Sequence, residues 1–242
     1  MTDNHARRRH RSIAARIFGV CVTALLEIGI SPLAGADDSH SVTLTLVRHA
    51  ESTANAAGVI DTSTPGPGLS SRGECQAAQA AGPLSAHHYD GVYASNMIRT
   101  QQTAAPTAQA LGEGTEFLPG LGEIEAGTYE GHPGADVSAY LAAPTSWVHG
   151  DRAARIPDSL DGNEFEARFN SAVQRIYDSG HTNPVAFSHS AAIMAWTLMN
   201  TRNSDPALMT TRPLPNLGRV VVIGSPKQGW TLTEWDADSA SC

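Results

Sequence analysis

The sequence predicts an α/β fold: a three-layer α/β/α sandwich built on a mainly parallel sheet. Short, nearly unbroken apolar runs rich in β-branched residues alternate with helix-length segments over residues 42–235. Runs of that kind suit parallel strands buried on both faces. The 242 residues, 41% hydrophobic and 17% charged, are enough for one substantial domain and too apolar for a disordered chain, with no fixed-period repeat.

Taken in order, residues 42–47 read as the first strand. Gly58, Gly66, Gly68, Pro65 and Pro67 make 57–70 a loop, and a helix follows over about 71–85. Residues 90–94 form a second short strand, 98–111 a helix, and 116–118 a third strand. Residues 119–160 are irregular, with one short helix near 136–142. Phe165, Phe169, Val173 and Ile176 give 162–179 helical spacing. A strand at 184–187 leads into a helix at 191–200, and 219–223 with 230–235 close the chain as a hairpin.

Residues 1–36 read as an address rather than as part of the fold. Arg7, Arg8, Arg9, Arg11 and Arg16 precede a mostly apolar run over 17–30, and Ala34-Gly35-Ala36 supplies a small-residue cleavage site. This is the pattern of a secretory signal peptide, with cleavage expected after Ala36 and a secreted or periplasmic, cell-envelope destination. A run of 14 residues interrupted by Glu27 falls short of the roughly 20 apolar residues that a bilayer span requires. No stable membrane span is expected after cleavage. Residues 37–242 are then a single domain whose cysteines are Cys75 and Cys242. Free thiols and a disulfide are both open readings, and no Cys/His spacing suggests a metal.

Formal charge is −8 overall, but residues 1–36 hold five Arg against Asp3 and Glu27, leaving 11 basic and 22 acidic groups afterwards. So acidic a body has no general attraction for nucleic acid or an anionic membrane. Any anion it binds must be gripped locally.

Such a grip is visible where strands end. In a parallel sheet, chemistry collects at the carboxyl ends of strands. Three strands end in Arg48-His49, in Ser95 leading to Arg99, and in Ser188-His189. Any one of these has an ordinary structural reading. Together they place two Arg and two His at one sheet edge, a cationic cup suited to a phosphoryl group. A neutral imidazole inside it can attack phosphorus, and a poor alkoxide leaving group would also require an acid.

These segments resemble the histidine phosphatase superfamily, which includes the cofactor-dependent phosphoglycerate mutases. Leu46, Val47, Arg48, His49, Ala50, Glu51 and Ser52 through Asn55 are similar to its signature. Ser95 through Arg99 and Thr103 resemble its second arginine segment, Glu123 with Gly127 its acid segment, and Ser188-His189 its second histidine segment. Gly162, Glu164 and Arg168 resemble the helix start after its variable region, and Leu69 through Gln76 its first helix. The resemblance spans about residues 42–235 and implies a phosphoglycerate mutase-like fold.

It also implies roles. His49 is the expected nucleophile, with Arg48, Arg99 and His189 holding the phosphoryl oxygens. Asn55 adds a phosphate contact, and Glu123 is the general acid, with Glu125 and Glu130 as rivals on composition. No cofactor and no metal is implied. Ala50 stands where Gly is commoner, and Ser190 replaces the Gly that usually follows the second His. That serine hydroxyl either donates to phosphate or crowds it.

The expected activity is hydrolysis of small-molecule phosphate monoesters through a phosphohistidine. A phosphoglycerate mutase must also hold a carboxylate. Here Ala54 and Ala57 flank Asn55, no Lys or Arg precedes Arg72 in the following loop, and the single Lys of the chain is Lys227. A non-catalytic phosphate-binding protein would be expected to lack one of Arg48, His49, Arg99 or His189. Residues 132–160 are expected to form the lid that selects the leaving group, with His132 a candidate for its mouth. His87, His88, His149 and His181 read as end-of-helix or loop residues. Trp147, Trp196, Trp230 and Trp235 read as packing groups.

Overall fold

The computed structural model describes residues 40–238 and Cys242, so the leader read over residues 1–36 lies outside the described residues. β1 (Val42–Arg48), β2 (Gly91–Ala94), β3 (Thr115–Phe117), β4 (Pro184–Ser188), β5 (Arg219–Ser225) and β6 (Gly229–Asp236) form a sheet of order β3-β2-β4-β1-β5-β6. The first four in that order are parallel, while β5 runs antiparallel to β1 and β6. The expected hairpin closes the antiparallel end.

Alternation along the central strands divides two cores. Leu44, Leu46, Tyr93 and Ala186 pack with Phe165, Phe169, Val173 and Ile176 of α6 (Gly162–Asp178) and with α7 (Ser190–Asn200). Val47, Val92, Ala94, Val185 and Phe187 face Leu84 of α2 (Ser71–Ser85) and Ala104 and Ala108 of α3 (Ile98–Leu111). These are the three layers expected. Trp147, Trp196 and Trp230 are buried, and Trp235 packs partly buried against the first core.

The small elements departed from expectation. α1 (Thr53–Ala57) buries no side chain, so apolar periodicity has nothing to register, yet Ser52 and Asn55 form a capping box. Residues 119–160 hold two short α-helices rather than one, α4 (Val137–Tyr140) and α5 (Ala142–Val148), which meet at Leu141. α8 (Leu208–Thr211) went unread for the same reason as α1: four residues carry no period.

Cys75 on α2 is disulfide-bonded to Cys242, with Cα atoms 6.2 Å apart. This resolves the open choice between free thiols and a pair.

Candidate active site

Register brings the three predicted strand ends to one level. Arg48 pairs with Ser188 across β1 and β4, and Ala94 pairs with Phe187 across β2 and β4. His49, Ser95 and His189 therefore leave the sheet side by side. Backbone bonds from His49 N to Ser188 O (3.0 Å) and from Ser95 N to Phe187 O (3.1 Å) fix those exits. Gly73 lets α2 approach the signature loop, since a Cβ there would lie 2.0 Å from Glu51 O.

The hydrogen bonds of His49 define its chemistry. Nδ1 lies 2.7 Å from Ala50 O, a carbonyl that can only accept, so Nδ1 carries the proton. Nε2 is left with its lone pair, which accepts from Arg99 Nε at 3.2 Å. Burial and the neighbouring Arg99 and Arg48 charges hold its pKa well below the usual histidine value. The imidazole is neutral at ordinary pH, the form a nucleophile requires.

Arg99, on the first turn of α3, also donates Nε to His189 Nδ1 at 3.3 Å and Nη2 to Asp61 O at 3.2 Å. Arg48 donates Nη1 to Leu214 O at 2.7 Å. Burial lowers the pKa of both, that of Arg48 to about 10, so both guanidiniums remain charged at neutral pH. Arg48 Nε and Arg99 Nη1 are buried N–H donors with no hydrogen-bond partner among the described residues. Such donors are costly unless an acceptor meets them, and phosphoryl oxygens supply acceptors.

His189 sits deeper than expected. It is fully buried, its ring lies edge-on to His49 with centroids 5.1 Å apart, and it does not line the cleft. Its Nε2 faces Ser95 Oγ at 2.9 Å, and that hydroxyl meets Thr100 Oγ1 at 2.8 Å. With Nδ1 accepting from Arg99, the ring proton sits on Nε2 and is donated to Ser95 Oγ, whose own proton can go to Thr100 Oγ1. Burial and Arg99 hold His189 neutral as they do His49.

Among the rival acids, Glu123 lines the cleft and Glu125 and Glu130 do not. Glu125 pairs with Arg168 at 2.9 Å, and Glu130 accepts from the backbone of Thr62. Arg168 also donates Nη2 to Gly122 O (3.1 Å) and Glu123 O (2.9 Å), which fixes the acid segment. The Glu123 carboxylate accepts from Ile124 N and Ala192 N, both at 2.9 Å, the latter in the first turn of α7. Burial outweighs these bonds and the Arg99 and Arg48 charges, and raises its pKa above the usual carboxylate value. That is the direction of shift a general acid requires.

Asn55 lines the cleft, but its Oδ1 accepts from Ser52 N and Asn216 Nδ2, both at 3.2 Å. Ser190 also lines it and donates to Leu214 O at 3.1 Å, so its hydroxyl supports the loop beside Arg48. His132 pairs with Asp136 outside the cleft. The residues 132–160 do supply one wall, through Val137, Tyr140, Leu141 and Thr145.

The opposite wall was missed. It comes from Met209, Leu214 and Asn216, and Asn216 also donates to His49 O at 3.0 Å. Two prolines and a four-residue helix gave that stretch no catalytic pattern to find. Among the described residues, no group of three or more His, Cys, Asp or Glu is placed to hold a metal ion.

Comparison with known proteins gives the chain a family and relatives of the same fold. The family model of the histidine phosphatase superfamily (branch 1) matches residues 44–238. PE-PGRS family protein PE_PGRS11 of Mycobacterium tuberculosis is 42% identical over 216 residues, covering 82% of this chain but 37% of its own length. A Yersinia pestis protein named "Probable phosphoglycerate mutase GpmB" is 30% identical over 203 residues, covering 81% of this chain and 90% of its own. The structure of a mycobacterial glucosyl-3-phosphoglycerate phosphatase complexed with VO3 superposes with a TM-score of 0.66 at 18% identity, covering 81% of this chain and all of that one.

Proposed function

The chain belongs to the histidine phosphatase superfamily, and from that footing we propose that it hydrolyses phosphate monoesters through a phosphohistidine at His49. The observation that carries the proposal is the gathering in one cleft of His49, whose Nε2 bears a lone pair, two buried guanidinium N–H groups that lack an acceptor among the described residues, and the Glu123 carboxyl, whose pKa burial shifts upward.

In the first step His49 Nε2 forms a bond to phosphorus as the ester P–O bond breaks, and the leaving oxygen takes the Glu123 proton. Arg99 Nε leaves the two imidazoles for the phosphoryl oxygens, joining Arg48 Nε and Arg99 Nη1 in balancing the charge that grows there. In the second step the Glu123 carboxylate takes a proton from water as its oxygen attacks phosphorus and the P–N bond breaks. Phosphate leaves, and both residues return to their starting states. His189, buried behind the guanidinium, holds Arg99 in its resting position through Nδ1 until the phosphoryl group arrives.

Water is the favoured acceptor because, among the described residues, the cleft offers no cation besides Arg48 and Arg99 to hold a phosphoglycerate carboxylate. The reading also includes export, with residues 1–36 removed as a leader. The Cys75–Cys242 bond supports an oxidising compartment, and an N-terminus at Asp37 in protein recovered outside the cell is the expected result. For the activity, the test is phosphate release from a panel of monoesters across pH 4–8, with His49→Ala as control. Release that the mutation abolishes is expected. Transfer to a phosphoglycerate with water excluded would instead establish a mutase.

A further inference from the structure

The cup accepts a phosphoryl group whatever alcohol carries it, so the leaving group must be chosen by what lies outside the cup. The cleft measures about 780 Å³, far more than a phosphoryl group fills. Its lining beyond the cup is largely aliphatic, with Val59, Val137, Leu141, Met194, Met209 and Leu214 set among the hydroxyls of Ser138, Thr145 and Thr210. Val59 (36% exposed) and Val137 (41%) are two of the four large hydrophobic side chains that are exposed among the described residues, and both stand at this cleft. Apolar groups gathered at a concave opening mark a binding surface rather than chance exposure.

The charges point the same way. The basic side chains in the lining are Arg48 and Arg99, both within the cup, and the one charged group outside it is the acid Asp61. Asp61 is held on its loop by Ser63, whose N (3.1 Å) and Oγ (2.7 Å) donate to Oδ1. Among the described residues, a leaving group with its own carboxylate or second phosphate would meet an acid and no cation there. Several polar groups of the lining are already engaged. The Thr62 hydroxyl accepts from Ala126 N (3.0 Å), Ser190 donates to Leu214 O, and Asn216 bonds His49 O and Asn55. The hydroxyls of Ser138, Thr145 and Thr210 add single polar points to a wall whose larger side chains are apolar.

We infer that the cleft selects monophosphate esters of uncharged, largely apolar alcohols, alkyl or aryl, and discriminates against carboxylated, doubly phosphorylated and sugar phosphates. This rests on the phosphomonoesterase reading above. The test measures kcat/KM for a series from methyl to octyl phosphate and for phenyl phosphate, against 3-phosphoglycerate and glucose 6-phosphate. The value should rise about threefold per methylene until the cleft is full, with 3-phosphoglycerate at least a hundredfold below octyl phosphate. Val137→Lys, at an exposed position, should lower octyl phosphate turnover at least tenfold and raise that of 3-phosphoglycerate. A flat or falling alkyl series, or preference for 3-phosphoglycerate or glucose 6-phosphate, overturns the inference and leaves the phosphatase intact. Absence of hydrolysis on every ester removes the phosphatase reading instead. Calorimetric titration with alkylphosphonates then decides the cleft: affinity that grows with chain length upholds the apolar site, and constant affinity removes it.

Discussion

Glu123→Gln removes the proton that a leaving oxygen must collect while preserving the shape of the buried side chain. The glutamine oxygen can keep the two 2.9 Å bonds from Ile124 N and Ala192 N. Its NH2 then faces Ala191 N–H, which donates to Oε2 at 3.4 Å in the native protein. One weak bond is lost, at a cost of about 1 kcal/mol, so the fold should survive. The kinetic effect should be large and selective. General acid catalysis contributes about 10²–10⁴ in rate, and an alkyl phosphate, whose alkoxide leaves badly, should lose that much. p-Nitrophenyl phosphate releases a stabilised anion and should lose less than tenfold. Phosphate release from both esters, measured at one pH on wild type and variant, gives the ratio directly. Equal losses on the two esters would refute the acid role of Glu123.

Further predictions concern charge, pH and the disulfide. Arg99→Ala removes the donor shared by His49 and His189, so kcat/KM should fall about 10²–10³-fold, and the rise in melting temperature on adding vanadate should disappear in thermal scans. His49 and His189 are held neutral in the fold but bind protons in the unfolded chain below about pH 6.5. Because the unfolded state binds more protons there, stability should fall as pH drops below about 6.5, on the order of 1 kcal/mol per pH unit for each histidine. Urea denaturation at pH 7, 6 and 5 checks this, and His189→Gln should flatten the slope. Activity has the opposite limb: it should decline as pH rises through the raised pKa of Glu123, whose protonated form starts the reaction. Cys75→Ser opens a cross-link between residues 167 apart in sequence and should cost about 2–4 kcal/mol under oxidising conditions, with reductant reproducing the loss in wild type.

Much of the site was legible because each group is tied to a strand end that sequence pattern reveals. Arg48-His49 follows β1, Ser95 and Arg99 follow β2, and His189 follows β4, so predicting parallel strands predicted their convergence. Glu123, proposed as the acid from the resemblance of its spacing to Gly127, lies in the cleft. That glycine has φ +56°, and a Cβ on it would lie 2.0 Å from Pro157 O.

What escaped depends on contacts far apart in sequence. Asn216 meets His49 across 167 positions, and nothing local marks it. The depth of His189 follows from Arg99 folding over it, which no motif states. Whether Cys75 meets Cys242 depends on where the chain end lies against α2, which no local pattern in the sequence states.

The phosphohistidine is the central claim, and its direct test is rapid acid-free quench of the enzyme during turnover of a ³²P-labelled monoester, followed by peptide mapping. The account predicts label on the peptide holding His49, stable in alkali, lost in acid and absent from His49→Ala. Steady turnover with no label on His49, or label on another residue, would contradict it.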